Sequence, residues 1–117
     1  MTKPRLSDYL DHIRQAANEA MEFVQGMNRH AFLEDRRTQR AVIQCLTVIG
    51  EVAARIMENH KEFAENHPGI PWKKMRGMRN RVVHSYFDIN FDAVWDTVSV
   101  FLPALLSQLP ISPVSDD

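Results

Sequence analysis

An arginine and a histidine lie five residues apart in the stretch Arg79-Asn80-Arg81-Val82-Val83-His84-Ser85-Tyr86. Histidine titrates near neutral pH, so His84 can act as a general acid or a general base. Arg79 stays charged, and its forked guanidinium matches phosphate oxygens, so it can bind a phosphate and stabilise the charge that develops there. Asn80 can fix the imidazole tautomer or bind a phosphate oxygen. Cleavage of RNA without a metal ion needs a base, an acid and a cation, and this stretch supplies those residue types.

Helical geometry separates these residues into faces if the stretch is a helix. Steps of about 100° per residue give it an apolar, core-facing side. The positions on that side are Met75, Met78, Val82 and Tyr86. Gly77, Asn80 and His84 share the opposite side, where the missing glycine side chain favours a groove. Arg79 lies at the edge of the core-facing side, but its long stem lets the guanidinium reach this groove.

The chain around the motif is basic. Residues 66–87 contain no acid and carry a formal charge of +5, so the remainder of the 117-residue chain carries −6, because the total is −1. A cationic segment in an acidic domain favours a polyanion, and we predict phosphate contacts from its basic side chains. Besides Arg79, those side chains are Lys73, Lys74, Arg76 and Arg81. A solvated basic face explains the charge alone equally well.

Apolar residues recur at spacings of three and four, which predicts an all-α single domain of four to five helices over residues 1–109. The predicted helices run from Leu6 to Val24, from Asp35 to about Phe63, from Pro71 to Tyr86 or Phe87, and from Phe91, capped by Asn90, through a kink or restart at Pro103. Gly50, inside the second of these, favours close approach of a neighbouring helix. Residues 110–117, rich in proline, serine and acids, are expected to form a disordered tail.

Composition narrows the class of protein further. Apolar residues make up 44% and charged residues 25%, as in a folded globular protein. No apolar stretch is long enough for a membrane span or a secretory signal, so we expect a cytoplasmic protein without a membrane partner. Cys45 is expected in the core, and Trp72 and Trp95 in the core or at a dimer contact. No metal and no cofactor are expected, because no histidine or cysteine ligand spacing occurs.

The stretch Arg79–Tyr86 resembles the Arg-x4-His-x-Tyr signature of HEPN-superfamily proteins of the HepT-like toxin branch. The resemblance extends over nearly the whole chain. Residues 35–42 with 48–51 resemble the family's long second helix. Ile70-Pro71-Trp72 resembles the loop before the active helix, and residues 91–98 resemble the final helix.

This resemblance implies a homodimeric, metal-independent endoribonuclease, the toxin of a bacterial toxin-antitoxin pair. The motifs of both protomers would line a cleft at the dimer interface, with Arg79, Asn80 and His84 as the catalytic residues. The implied partner is a minimal nucleotidyltransferase antitoxin that transfers AMP from ATP to the motif tyrosine, here Tyr86. The other interpretation of Tyr86 is a core or interface aromatic residue.

Two other functions are consistent with a small helical protein. A non-catalytic interaction module would bind a minimal nucleotidyltransferase and a nucleotide without cleaving RNA. The complete set of Arg79, Asn80 and His84 favours the nuclease, since a scaffold does not need it. A DNA-binding regulator is disfavoured, because the cations occur on one short helix and show no helix-turn-helix pattern. We therefore expect no DNA partner.

Overall fold

The helices are defined by a computed structural model that describes residues 5–84 and 88–110, apart from the side chains of Arg79 and residues 81–84. The α-helices are α1 Leu6–Phe23, α2 Arg29–Leu33, α3 Arg36–Asn59, α4 Lys61–Asn66, α5 Trp72–His84, α6 Phe91–Asp96 and α7 Leu102–Gln108, and a π-helical turn, Thr97–Phe101, joins the last two. No strand occurs in the described ranges. The prediction of an all-α single-domain bundle is confirmed.

Helix α3 lies at the centre of the bundle and packs against both α1 and α5. Its buried apolar residues recur every three or four positions and cover a wide arc. They are Val42, Cys45, Leu46, Ile49, Val52, Ala53 and Ile56. Gly50 is buried on the same helix, as expected for a position where neighbours pack closely. Because α3 is covered on two sides, it fixes α5 relative to the rest of the core.

Side-chain caps mark three helix starts. The Oδ1 atoms of Asn28, Asp35 and Asn90 accept hydrogen bonds from amides three residues later, at 2.8, 3.0 and 3.1 Å. The predicted cap at Asn90 is confirmed. The Thr38 amide and hydroxyl donate to the Asp35 carboxylate and hold its pKa below the usual value.

The second predicted helix is interrupted, which corrects the expectation that it runs to about Phe63. Helix α3 ends at Asn59, and His60 adopts non-helical angles of φ −136° and ψ 51° before α4 begins. Phe63 still packs against the core from α4, so the apolar periodicity continues across the break and hides it. Helix α2 was also missed, because its five residues are too few to show a period.

Helix α5 is anchored at its N-terminal end. It begins at Trp72, one residue later than predicted, and the Pro71 carbonyl accepts the first helical hydrogen bond from the Met75 amide at 3.0 Å. Trp72 and Met75 are buried, which confirms both as core residues, and the indole N–H donates to the His67 carbonyl at 3.2 Å. The first turn is therefore held by packing and by a hydrogen bond.

The C-terminal helix restarts at Pro103, as predicted. The π-helical turn precedes α7, in which Pro103 is the second residue. Proline lacks an amide donor, so the regular hydrogen-bond pattern changes here. Beyond it, Leu105 and Leu109 are buried against the core. The predicted tail lies outside the described residues from position 111 onwards.

Gln39 joins α2 to α3, and replacing it with leucine tests that connection. It is 7% exposed, and its Nε2 donates to the Phe32 and Leu33 carbonyls at 2.9 and 3.1 Å. We expect Gln39→Leu to lower the free energy of unfolding by about 1 to 3 kcal/mol, because buried carbonyls lose a donor. Urea unfolding measures this change. Gln44→Leu, exposed on the same helix, should change it by less than about 0.5 kcal/mol, and equal losses would contradict the assignment.

Candidate active site

The candidate catalytic positions share one continuous helix. Helix α5 runs unbroken through His84, so positions 80 and 84 lie about one turn apart on its backbone. Asn80 is exposed to solvent. The side chains of Arg79, Arg81 and His84 lie outside the described part of the chain, and so does the whole of Tyr86. Their contacts remain predictions from the sequence.

The predicted groove beside Asn80 is open surface in the single chain. Gly77 precedes Asn80 by three residues, and a Cβ atom built on Gly77 would meet no heavy atom of the described side chains or of other elements within 4 Å. Met78, on the predicted core side, is partly buried and packs against the core cluster. Among the residues whose side chains are described, α5 therefore has its polar face and its apolar face on the predicted sides.

Three of the predicted RNA-binding residues are exposed near the start of α5. Lys73, Lys74 and Arg76 all lie on the surface, and within the described ranges no carboxylate forms an ion pair with them. The Lys74 ammonium lies 4.7 Å from the centroid of the Phe101 ring, a cation-π contact. This contact directs Lys74 towards the π-helical turn, while its N–H groups can still donate to an anion.

A cleft of about 580 Å³ lies between the end of α3, α4 and the start of α5. Buried or partly buried residues form its floor, namely Met57, Ala64, Ile70, Pro71 and Trp72. Exposed residues form its rim, namely Lys61, Glu65, Pro68, Lys73 and Lys74. We refer to it as the α4–α5 cleft. Sequence reasoning missed Lys61, because it precedes the acid-free basic segment, and the break at His60 that places it here was not recognised.

Cys45 has no catalytic environment. It lies at a smaller groove of about 240 Å³ between α1 and α3, next to Ala16 and Val48. Burial raises the pKa of the thiol to about 11, so Cys45 is protonated at neutral pH and a poor nucleophile. Its predicted role as a small core residue is confirmed.

Arg29 links α2 to the helix that follows the motif. Its guanidinium donates to the carboxylates of Asp92 and Asp96 on α6 at 3.0 and 2.7 Å. These hydrogen bonds raise the pKa of Arg29 further above its already high value. The pairs are exposed, so their role is to orient α6 more than to stabilise the domain. This contact could not be predicted from local sequence patterns, because the partners are far apart along the chain.

Two histidines near the cleft have structural contacts. The His67 ring stacks on Phe63 with centroids 4.1 Å apart, and its Nδ1 lies 2.9 Å from the Phe63 carbonyl oxygen. The His60 ring meets the edge of Tyr9 at 5.8 Å. Across residues 5–84 and 88–110, no three His, Cys, Asp or Glu side chains are grouped as metal ligands. None of the described helices is long and apolar enough to cross a membrane.

The chain was compared with known proteins. A family profile described as "Ribonuclease HepT-like" matches residues 13–110. A Thermococcus cleftensis protein named "Probable ribonuclease HepT" is 38% identical over 98 residues, which cover 84% of this chain and 86% of that protein. A "Putative RNase" of Caldanaerobacter subterraneus is 36% identical over 109 residues, 93% of each chain. Another "Putative RNase", from Methanocaldococcus jannaschii, is 33% identical over 111 residues, 95% of this chain and 99% of that protein. No solved structure matches.

The described residues form an all-α bundle, which is consistent with the HEPN superfamily. Within that superfamily, the chain belongs to the HepT-like ribonuclease family, whose profile spans most of its length. The resemblance identified from the motif is confirmed.

Replacing Gly77 and Gly26 with alanine should change the free energy of unfolding in opposite directions. Gly77→Ala should raise the free energy of unfolding by about 0.5 to 1 kcal/mol, because alanine favours the helix and its Cβ has open space among the described residues. Gly26→Ala should lower it by about 1 kcal/mol, since Gly26 has a φ of 81°. Chemical denaturation of both variants measures the effects. Destabilisation by Gly77→Ala would mean that another surface covers this position in solution.

Proposed function

We propose that this protein is a metal-independent endoribonuclease and the toxin of a bacterial toxin-antitoxin pair. Family membership supports ribonuclease activity, and the Arg79-x4-His84 motif supports its chemistry. The observation that carries the proposal is the continuous helix α5, which holds positions 79, 80 and 84 on one rigid backbone. Asn80 is exposed on this helix. Rigid placement of catalytic groups is what efficient catalysis requires.

The proposed reaction is attack of an RNA 2′-hydroxyl on the adjacent phosphorus. The new bond joins the 2′-oxygen to phosphorus, and the bond from phosphorus to the 5′-oxygen of the next nucleotide breaks. A base takes the 2′-hydroxyl proton, and an acid gives a proton to the leaving 5′-oxygen. His84 acts as acid or base, and Arg79 stabilises the extra charge on the phosphorane. Asn80 orients the imidazole or a phosphate oxygen.

One histidine does not readily serve as both acid and base in one step, so we propose a symmetric homodimer. A two-fold axis would bring two copies of α5 across one cleft and supply two imidazoles and two guanidiniums. The open surface at Gly77 is compatible with a second chain approaching this face. The alternative, a non-catalytic module that binds a nucleotidyltransferase and a nucleotide, would form the complex but release no RNA products.

Removing either motif side chain should abolish RNA cleavage. In the presence of EDTA, we expect the purified protein to cut RNA, and Arg79→Ala and His84→Ala each to reduce the rate by at least about 100-fold. Gel analysis of a labelled RNA measures the rate, and far-UV circular dichroism checks folding. Arg55→Gln, which removes an exposed cation on α3, is the matched control and should cut normally. Full activity in both motif variants would contradict the proposal.

The proposed control of the toxin is AMP transfer to Tyr86 by a minimal nucleotidyltransferase. The Tyr86 phenol oxygen attacks the α-phosphorus of ATP, pyrophosphate leaves, and the phenolic proton passes to a base in the partner or to solvent. The bound AMP adds negative charge close to His84 and Arg79, two and seven residues away along the chain, where it would compete with the RNA phosphate.

Intact mass measures this modification directly. Coexpression with a minimal nucleotidyltransferase should add AMP-sized mass steps and suppress cleavage, because the adduct blocks the phosphate site. Tyr86→Phe should gain no mass and escape the suppression. Tyr9→Phe controls for the other tyrosine, which is 7% exposed in the core. If coexpression leaves the mass unchanged and still suppresses cleavage by Tyr86→Phe, control by AMP transfer to Tyr86 is excluded.

A further inference from the structure

The α4–α5 cleft, lined by lysines over an apolar floor, has no role in the motif chemistry. Its volume of about 580 Å³ falls within the range of roughly 300 to 1,000 Å³ typical of small-molecule sites. Lys73 and His84 are eleven positions apart on α5, so the cleft lysine and the motif histidine lie about 16 Å apart along the helix. A ligand that reaches both sites must be extended.

The rim charge defines the class of ligand. Lys61, Lys73 and Lys74 face one acid, Glu65, which leaves the lining with a net charge of +2. Among the described residues, none of these lysines forms an ion pair, whereas four arginines do. Lysines without a carboxylate partner around a concave site favour binding of an anion. Three lysines at one rim favour a multiply charged anion such as a phosphate group.

The floor adds a second requirement. Met57, Ala64 and Pro71 contribute apolar surface between α3, α4 and the start of α5, with buried Trp72 behind them. A phosphate alone gains nothing from apolar contact, but the flat face of a nucleobase does. Unstacked bases are available in single-stranded RNA and hidden in a duplex. The combination therefore matches one nucleotide of an unpaired strand.

We propose that the α4–α5 cleft is an RNA subsite, which binds one unpaired nucleotide with its phosphate at Lys61 and Lys73 and its base on the apolar floor. The inference rests on the proposed function in taking RNA as the ligand. A docked protein is disfavoured, because a stable interface needs about 800 Å² from each partner, much more than one nucleotide-sized cleft offers. The cleft would hold the strand a few nucleotides from the scissile phosphate.

Charge removal tests the phosphate contacts. In a His84→Ala background that prevents cleavage, the full chain is titrated with a labelled single-stranded oligoribonucleotide of about twelve nucleotides. Fluorescence anisotropy at several salt concentrations gives the affinity and its salt dependence. We expect Lys61→Gln with Lys73→Gln to weaken binding by about fivefold to tenfold and to reduce the slope of log K against log salt by about 1.4. Arg55→Gln is the control, because Arg55 lies on the opposite side of α3 from the cleft residue Met57. It should reduce the salt slope by less than half that amount.

Filling the cleft tests the floor without changing charge. Ala64→Phe should weaken binding of the single strand by about threefold or more while leaving the salt slope unchanged, because only the base loses its place. Thermal unfolding followed by circular dichroism confirms that each variant is folded. Duplex RNA of the same sequence should bind with equal affinity to Ala64→Phe and its parent. If both cleft variants bind the single strand like Arg55→Gln, or if Ala64→Phe weakens both RNAs equally, the subsite is excluded.

Cleavage by the His84-containing chain separates this proposal from the proposed function. Cleavage with lysine-dependent binding and a raised KM in the cleft variants supports both. Cleavage with unaffected KM and unaffected binding overturns the subsite alone. Lysine-dependent binding of the single strand without cleavage by the unaltered protein supports the subsite and overturns the nuclease proposal.

Discussion

The burial of α3 on two sides is the constraint on which the rest of the structure depends. Ile49 and Ile56 are fully buried, and the small residues Gly50 and Ala53 are buried between them. A helix with so wide an apolar arc needs two neighbours, and α1 and α5 supply the cover. Helix α5 is held in this way by Trp72 and Met75 near its start, and Arg76 and Asn80 on the same helix are exposed to solvent.

Four arginines in the described part of the chain form ion pairs, whereas the lysines of the α4–α5 cleft do not. Arg5, Arg14, Arg29 and Arg55 form ion pairs with acids, and Arg29 also orients α6. The lysines of the α4–α5 cleft have no such partner there, and Lys74 contacts only the face of an aromatic ring among the interactions that the structure gives it. Positive charge is therefore available at the rim of this cleft. An acidic remainder keeps that potential local.

The spacing of apolar residues predicted the long helices, and residue types predicted the candidate catalytic residues. The bundle, the core role of Met75, the cap at Asn90 and the restart at Pro103 all follow from local signals of known physical origin. Short elements escape this reasoning, because five or six residues do not display a helical period. Phe63 of α4 is partly buried against the core and so continues the apolar spacing of α3, which hides the break between the two helices. The cleft depends on three segments meeting in space, which no local pattern reports. The motif residues were identified by chemistry and family resemblance, while the contacts of Arg79 and His84 remain predictions.

The break at His60 has a consequence that extends to catalysis. A helix continuing past Asn59 would keep Lys61 on the axis of α3, whereas the break lets α4 begin a new direction and lets Lys61 join Lys73 around one cleft. The two prolines that follow then return the chain to the start of α5. The proposed nucleotide subsite at Lys73 thus lies about 16 Å from the proposed catalytic position 84, on the same rigid helix. Binding energy gained far from the reacting bond can position the scissile phosphate without stabilising the ground state at that bond. On these two proposals, strand capture and cleavage both depend on the single rigid helix α5.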